Sequence, residues 1–128
     1  MTTEPASSLT PEQRDFFERF KSFWEAPSGD RIPELIAPDA TISFTGAGTF
    51  SGADYIGVMG EILASMADMK VTPLDCAGNG DRLYIAWESS ATVNGEQRRW
   101  MGVDRFLLKG GLAVEEQVIF DSAVLQVE

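Results

Sequence analysis

The side chains in this chain that could do chemistry are acids set among apolar residues, and they gather between Ala86 and Leu125. Two hairpin turns, Asn94-Gly95 and Gly110-Gly111, divide this segment into strands in series. Trp87, Glu88, Arg98, Arg99, Trp100, Asp104, Arg105 and Glu116 all fall on those strands. Alternation along the second puts Trp100, Gly102, Asp104, Phe106 and Leu108 on one face and Arg99, Met101, Val103, Arg105 and Leu107 on the other. Asp104 thus sits amid apolar neighbours, where a carboxylate loses solvation and holds its proton more tightly. It is either a pocket acid or the partner of Arg82, Arg98 or Arg105. Glu116 shares parity with Leu112, Val114, Val118 and Phe120, which makes it a pocket acid or an ion at a rim or interface. Asp121, at the end of the last strand, is a cap for the following turn or a third acid.

Histidine is absent from the 128 residues, so acid–base work falls on Asp, Glu, Tyr or water. The single cysteine, Cys76, excludes an internal disulfide, has no base beside it and reads as an inert buried thiol. No metal cluster or cofactor motif is expected. Gly-Asn-Gly-Asp at 78–81 is a turn rather than a phosphate loop, because no Gly-Lys-Ser/Thr follows it. Twenty acids against ten bases give a net charge of -10, which argues against a nucleic-acid surface or an anionic membrane. No stretch approaches the ~20 apolar residues of a membrane span, and no basic-then-apolar leader opens the chain. A cytoplasmic, cofactor-free protein is expected.

The elements that must position the acids are legible in outline. Residues 1–9 read as a disordered tail and 10–128 as one domain. Thr10-Pro11-Glu12-Gln13 is a capping box opening a helix, with Phe16, Phe17, Phe20, Phe23 and Trp24 on its apolar stripe. Ala26-Pro27-Ser28-Gly29 ends it. Asp30 caps a short second helix running to about Ile36, and a strand covers Ala40 to Phe44. A flexible loop follows through Thr49 to Ser51. A third helix runs from about Ala53 to Met66, with Tyr55, Ile56, Met59, Ile62, Leu63 and Met66 on its apolar side. Gly57 and Gly60 inside it point to close packing. Four antiparallel strands then cover Lys70–Ala77, Arg82–Val93, Gln97–Leu108 and Leu112–Phe120. The order describes an α+β fold with helices gathered on one side of a sheet.

Four stretches carry a family resemblance: SGDRIPELIAPDATISF (Ser28 to Phe44), GTFSGADYI (Gly48 to Ile56), GNGDRLYIAWESSATVNGE (Gly78 to Glu96) and MGVDRFLLKGGLAVEEQVIFDSAVL (Met101 to Leu125). In this order and spacing the chain resembles the SnoaL-like branch of the NTF2-like superfamily. The resemblance implies a cystatin-like cone, in which a strongly curved antiparallel sheet wraps three helices around an apolar cavity. Homodimers packed through the sheet are common in that family. Its members include steroid isomerases, polyketide cyclases, epoxide hydrolases, dehydratases and non-enzymatic binders, so the likeness supplies a pocket rather than a reaction.

Residue by residue, the likeness to the steroid isomerases puts their hydrogen-bonding carboxylic acid near Asp104. Their general base falls on or beside Phe44 and their first-helix tyrosine near Phe20, and phenylalanine takes no proton. The Asp-Arg-Asp relay of the epoxide hydrolases falls near Ile85, Trp87 and Val118 and is not kept; Glu88 and Glu116 stand beside those positions. Related cyclases use a carboxylate in the region of Asp121. Phe20, Trp24, Phe44, Tyr55, Met59, Trp87, Trp100 and Val118 are the expected lining of a substrate cavity. Tyr55 is placed to point a hydroxyl across it, and Met59, Met66 and Met101 either make it adaptable or fill gaps in the core. Trp87 and Tyr84 have opposite parity, so at most one of them belongs to the cavity. Two functions remain open. One is a cyclase, isomerase or dehydratase acting through Asp104, Glu116 and Asp121 on a small hydrophobic or aromatic molecule. The other is a non-catalytic binding domain or dimeric scaffold.

Overall fold

In the computed structural model, which describes residues 9–125, one six-stranded sheet carries helices over its inner face. Helix α1 spans Pro11–Glu25. Its start is the expected capping box: the Thr10 hydroxyl accepts from the Gln13 N–H at 3.0 Å, and the Gln13 side chain accepts from the Thr10 N–H at 3.0 Å. Gln13 is itself buried, and its amide donates to the carbonyls of Gly80 and Arg82, tying the helix start to a hairpin 67 and 69 residues away. Phe16, Phe20 and Phe23 are buried, and both Phe16 and Phe20 pack against Phe106, with ring centroids 4.7 Å and 5.9 Å apart. Phe17 and Trp24 are only partly buried at the margin of the stripe. Leu9, the last residue of the expected disordered tail, is buried in the core, and residues 1–8 lie outside the described residues.

The short second helix is a 3-10 turn over Gly29–Glu34, capped by Ser28 rather than Asp30: the Ser28 hydroxyl accepts from the Asp30 N–H. Strand β1, Ile36–Phe44, starts earlier than expected, because the chain is extended through an irregular stretch at 36–41 that accommodates Pro38. The expected flexible loop contains a strand instead. β2, Gly48–Ser51, pairs antiparallel with β1, the turn being made by Gly46 and Gly48 at positive φ. Helix α2 spans Gly52–Ser65 and is capped by Ser51. It lies so close to β1 that a methyl on Gly52 would stand 1.9 Å from the Ala37 carbonyl oxygen. A methyl on Gly57 or Gly60 would meet no atom within 4 Å, but the close packing expected there is present at Gly60, against whose backbone Gly29 of the 3-10 turn lies, a methyl on Gly29 falling 3.2 Å from the Gly60 nitrogen. The close approach belongs to Gly29, whose added methyl would strike the Ile56 carbonyl at 2.4 Å.

Strands β3 (Lys70–Asn79), β4 (Arg82–Val93), β5 (Glu96–Lys109) and β6 (Leu112–Phe120) form the antiparallel meander. β1 pairs parallel to β6, and the sheet order is β2-β1-β6-β5-β4-β3. Asn94-Gly95 and Gly110-Gly111 all have positive φ, as two-residue hairpin turns of the primed type require. Along β4 the inward residues Leu83, Ile85, Trp87, Ser89 and Ala91 are buried. β6 departs from simple alternation, as β1 and β3 also do. A bulge opposite Leu107 and Leu108 puts Ala113 inward and moves Leu112 and Val114 off the face that Glu116 shares with Val118 and Phe120.

Candidate functional site

Only four polar or charged side chains are buried among the described residues, and three of them, Ser89, Asp104 and Glu116, line one apolar pocket between the helices and the sheet. The register brings the two acids together. Asp104 on β5 lies opposite Val118 on β6, while Glu116 lies opposite Phe106, so the carboxyls are diagonal neighbours on the inner face. They hydrogen-bond to each other. Trp87 completes the arrangement by donating its indole N–H to Asp104 Oδ1 at 3.2 Å.

The indole reaches that position because its cross-strand partner is Gly102. A methyl there would stand 2.4 Å from the Trp87 ring and 2.7 Å from the Ile119 carbonyl oxygen. Gly102 is therefore a positioning residue. Sequence reading missed that role, although a glycine facing a tryptophan across a hairpin is a signal of close approach.

Among the described residues no arginine pairs with Asp104. Arg82 lies 3.5 Å from Glu115, Arg98 bonds Glu96 and the Val124 carbonyl, and Arg105 donates to the Tyr84 hydroxyl at 3.4 Å. Burial pushes Asp104 up from 3.8 to about 6, with the hydrogen bonds from Glu116 and Trp87 holding it back. Glu116 is pushed well above the usual carboxylate range by burial, then by the Asp104 charge, and its proton is the one the pair shares. Among the described residues its Oε1 has no partner. Tyr55, buried on α2, holds its proton well above the ordinary range, first through burial and then through the Glu116 and Asp104 charges. Near neutral pH the pair carries one proton between two carboxyls, beside a neutral phenol.

The lining expected from sequence comes together. Phe20, Trp24, Phe44, Tyr55, Met59, Trp87, Trp100 and Val118 all border the pocket. Phe44, Phe120 and Trp87 form a continuous aromatic wall, with centroid separations of 5.7 and 6.3 Å. Half-buried Trp24, Met66, Met69 and Trp100 mark its outer end. The cavity volume is about 80 Å³, room for two or three waters at ~30 Å³ each and about half of the ~150 Å³ that holds a benzene ring, against the roughly 300 Å³ or more of a drug-sized site.

Three expectations fall outside the pocket. Asp121 is exposed and accepts from the Ala123 N–H at 3.0 Å, so it caps the last 3-10 turn and is not brought to the other two acids. Met101 is 62% exposed on the outer face, because the phase that turns Asp104 inward turns Met101 outward. Glu88 is on that outer face too, paired with Arg99. Cys76 is half-buried rather than buried. Ser89, Phe23, Ile32, Leu35, Ile36, Phe106 and Phe120 border the pocket without having been anticipated as site residues; parity with Trp87 and Asp104 would have found Ser89 and Phe106. Among the described residues, no group of three or more His, Cys, Asp or Glu is placed to hold a metal ion, and no helix is long and apolar enough to cross a membrane.

Residues 14–116 match the model of the SnoaL-like domain. No curated protein matches the chain significantly. Solved structures are similar at the level of fold. An NTF2-like protein from Burkholderia pseudomallei superposes with a TM-score of 0.78 at 19% identity, over 89% of this chain and 94% of that one. A protein with a ketosteroid isomerase-like fold from Catenulispora acidiphila, solved with trimethylamine, gives 0.78 at 16%, over 91% of each chain. IdmH from Streptomyces antibioticus, provisionally assigned as a polyketide cyclase, gives 0.75 at 20%, over 88% and 94%.

Proposed function

The chain belongs to the SnoaL-like family of the NTF2-like superfamily, and from that premise we propose that it is a cofactor-free proton-transfer enzyme of the isomerase, cyclase or dehydratase type. Its substrate is a small hydrophobic or aromatic carbonyl compound held in the apolar centre of a cone-shaped fold. The observation that carries this reading is the buried Asp104–Glu116 pair, which shares a proton at the wall of an apolar pocket with no arginine on it. A structural ion pair would place a cation there. A pair of acids with one negative charge is instead a base and an acid in one unit.

The chemistry follows from which atoms are unpartnered. Glu116 Oε1, without a protein partner, takes a proton from the carbon beside the substrate carbonyl. As that bond forms, the proton Glu116 shares with Asp104 passes to Asp104, whose carboxylate the Trp87 N–H steadies. The C–H electron pair becomes the enolate, and the Tyr55 hydroxyl donates to the enolate oxygen. Return of the proton from the acid pair to another carbon gives isomerisation; attack of the enolate on a second carbonyl, whose alkoxide takes that proton, gives cyclisation; and loss of a β-hydroxyl as water, carrying that proton away, gives dehydration. None of these steps needs a cofactor.

The test is exchange of α-hydrogens of small cyclic and aryl ketones in D₂O, followed by NMR. Wild-type protein is expected to accelerate exchange, with the rate rising as pH passes about 6, and Glu116→Gln to lower it by roughly 10²- to 10⁴-fold. No acceleration over buffer with any ketone would overturn the enzymatic reading. The second reading is a non-catalytic binding domain, favoured by the cavity volume of about 80 Å³. In either case we propose a homodimer through the outer face of the sheet, where Met101 and Ile119 are exposed and Val103 lies directly opposite Ile119.

A further inference from the structure

Three ionisable side chains border the cavity, Tyr55 on α2, Asp104 on β5 and Glu116 on β6, and among the described residues no lysine or arginine joins them. With one proton between the two acids the pair keeps one negative charge, and a buried charge is costly unless something pairs with it. The Trp87 N–H bonds Asp104 Oδ1, but Glu116 Oε1 has no partner among the described residues, although Glu116 is only 7% exposed. Around these atoms the walls are aromatic. Phe106 lies directly across from Glu116, and Phe44, Phe120 and Trp87 make the continuous wall. Ring faces attract an organic cation, and they offer a metal ion none of the several oxygens it needs. The volume of about 80 Å³ sets the size of an occupant at two or three non-hydrogen atoms, as for two or three waters of ~30 Å³ each. Ser89 Oγ also lacks a partner. It stands six residues along β4 from Leu83, which is level with Glu116 through Phe106, or roughly 20 Å at ~3.3 Å per residue. That is too far for one small ligand to meet both.

We propose that the cavity binds a small primary ammonium ion of the size of methylammonium, with one N–H donated to Glu116 Oε1 and the alkyl group against the aromatic rings. The positive charge cancels the single negative charge of the acid pair, and the proton shared by the acids stays in place. The Tyr55 hydroxyl, close enough to feel both acid charges, offers its oxygen to a second N–H. A neutral molecule of the same size gains the hydrogen bond without the charge, and a bulkier ammonium exceeds the space. Binding engages the acid pair but needs no turnover, so it goes beyond the proton-transfer reading and stands or falls separately from it.

The experiment follows the Trp87 indole N–H resonance while methylammonium chloride is added at neutral pH, with potassium chloride at matched ionic strength as the control. A saturable shift is expected with a Kd on the order of 10 mM, near the limit for a ligand of two heavy atoms. Potassium, methanol and tetramethylammonium are expected to give none. At about pH 4.5, well below the value of about 6 for Asp104, the pair is neutral and the affinity is expected to fall roughly 30-fold. The double variant Asp104→Asn, Glu116→Gln keeps the shape of the pair without its charge, and is expected to stay folded by circular dichroism and to lose the shift. A wild type without a saturable shift overturns the proposal. So does equal binding of methanol, which would make the charge irrelevant, or of tetramethylammonium, which would place the site on the acidic surface. Binding that survives in the folded double variant overturns it as well; should that variant not fold, an affinity in the wild type that is the same at both pH values does so. Ketone exchange without methylammonium binding leaves the proton-transfer reading standing alone, and binding without exchange leaves this site standing alone.

Discussion

Two buried acids that keep a proton between them tie stability to pH in a direction opposite to that of a salt-bridged carboxylate. Asp104 moves up from 3.8 to about 6 in the folded protein, and Glu116 moves well above its usual range. The folded state therefore binds protons more tightly than the unfolded chain. Its stability is greatest below the unfolded values and falls as pH rises through the folded ones. For Asp104 the loss runs between 3.8 and about 6 and amounts to about 3 kcal/mol. Asp104→Asn removes this dependence while keeping an acceptor for Trp87 and Glu116. Urea unfolding is expected to find the variant more stable than wild type at pH 7, with the difference shrinking toward pH 4. A constant difference across that range would mean that Asp104 is not held as described. The same pair makes activity depend on pH in the opposite sense, because the base must be ionised to accept the substrate proton.

At the scale of elements, glycines separate positions that hold the site from positions that do not. Gly57 and Gly60 lie inside α2 with open space where a side chain would begin. Alanine at either is expected to raise stability by about 0.5–1 kcal/mol, a gain of a few degrees in melting temperature. Gly102 is the contrast. Its added methyl would collide with both the Trp87 ring and the β6 backbone. Gly102→Ala is expected to lower the melting temperature and to shift Trp87 fluorescence, as the indole is pushed off Asp104. Sequence reading did not separate these glycines, since spacing along a helix says nothing about what stands across from it. The β6 bulge is a similar case. Counting by twos from Leu112 put Glu116 on the right face for a wrong reason, because the extra residue at Val114 resets the phase.

For the whole molecule, the outer face of the sheet carries an apolar patch of Met101, Val103 and Ile119 among charged residues such as the Glu88–Arg99 and Arg82–Glu115 pairs. Ile119 and Met101 are 43% and 62% exposed, and Val103 pairs directly with Ile119. A second copy packed there would cover them. Sedimentation is expected to find a dimer for the wild type and a monomer for Ile119→Lys; a monomeric wild type would rule this interface out. Much of this architecture was legible in the sequence. The capping box at Thr10, the primed turns at Asn94-Gly95 and Gly110-Gly111, and the alternation along β4 and β5 are local signals. Each is set by the conformational limits of a few neighbouring residues, and the same alternation turned Asp104 inward and Met101 outward. The structure alone decided the rest, because it depends on registers between distant strands. The diagonal contact of Asp104 with Glu116, the Trp87 hydrogen bond, the arginines engaged elsewhere, and the unpartnered Ser89 are facts about pairs of residues. Burial and pairing arise only when the strands close over one another, and they convert two ordinary acids into one proton-sharing unit.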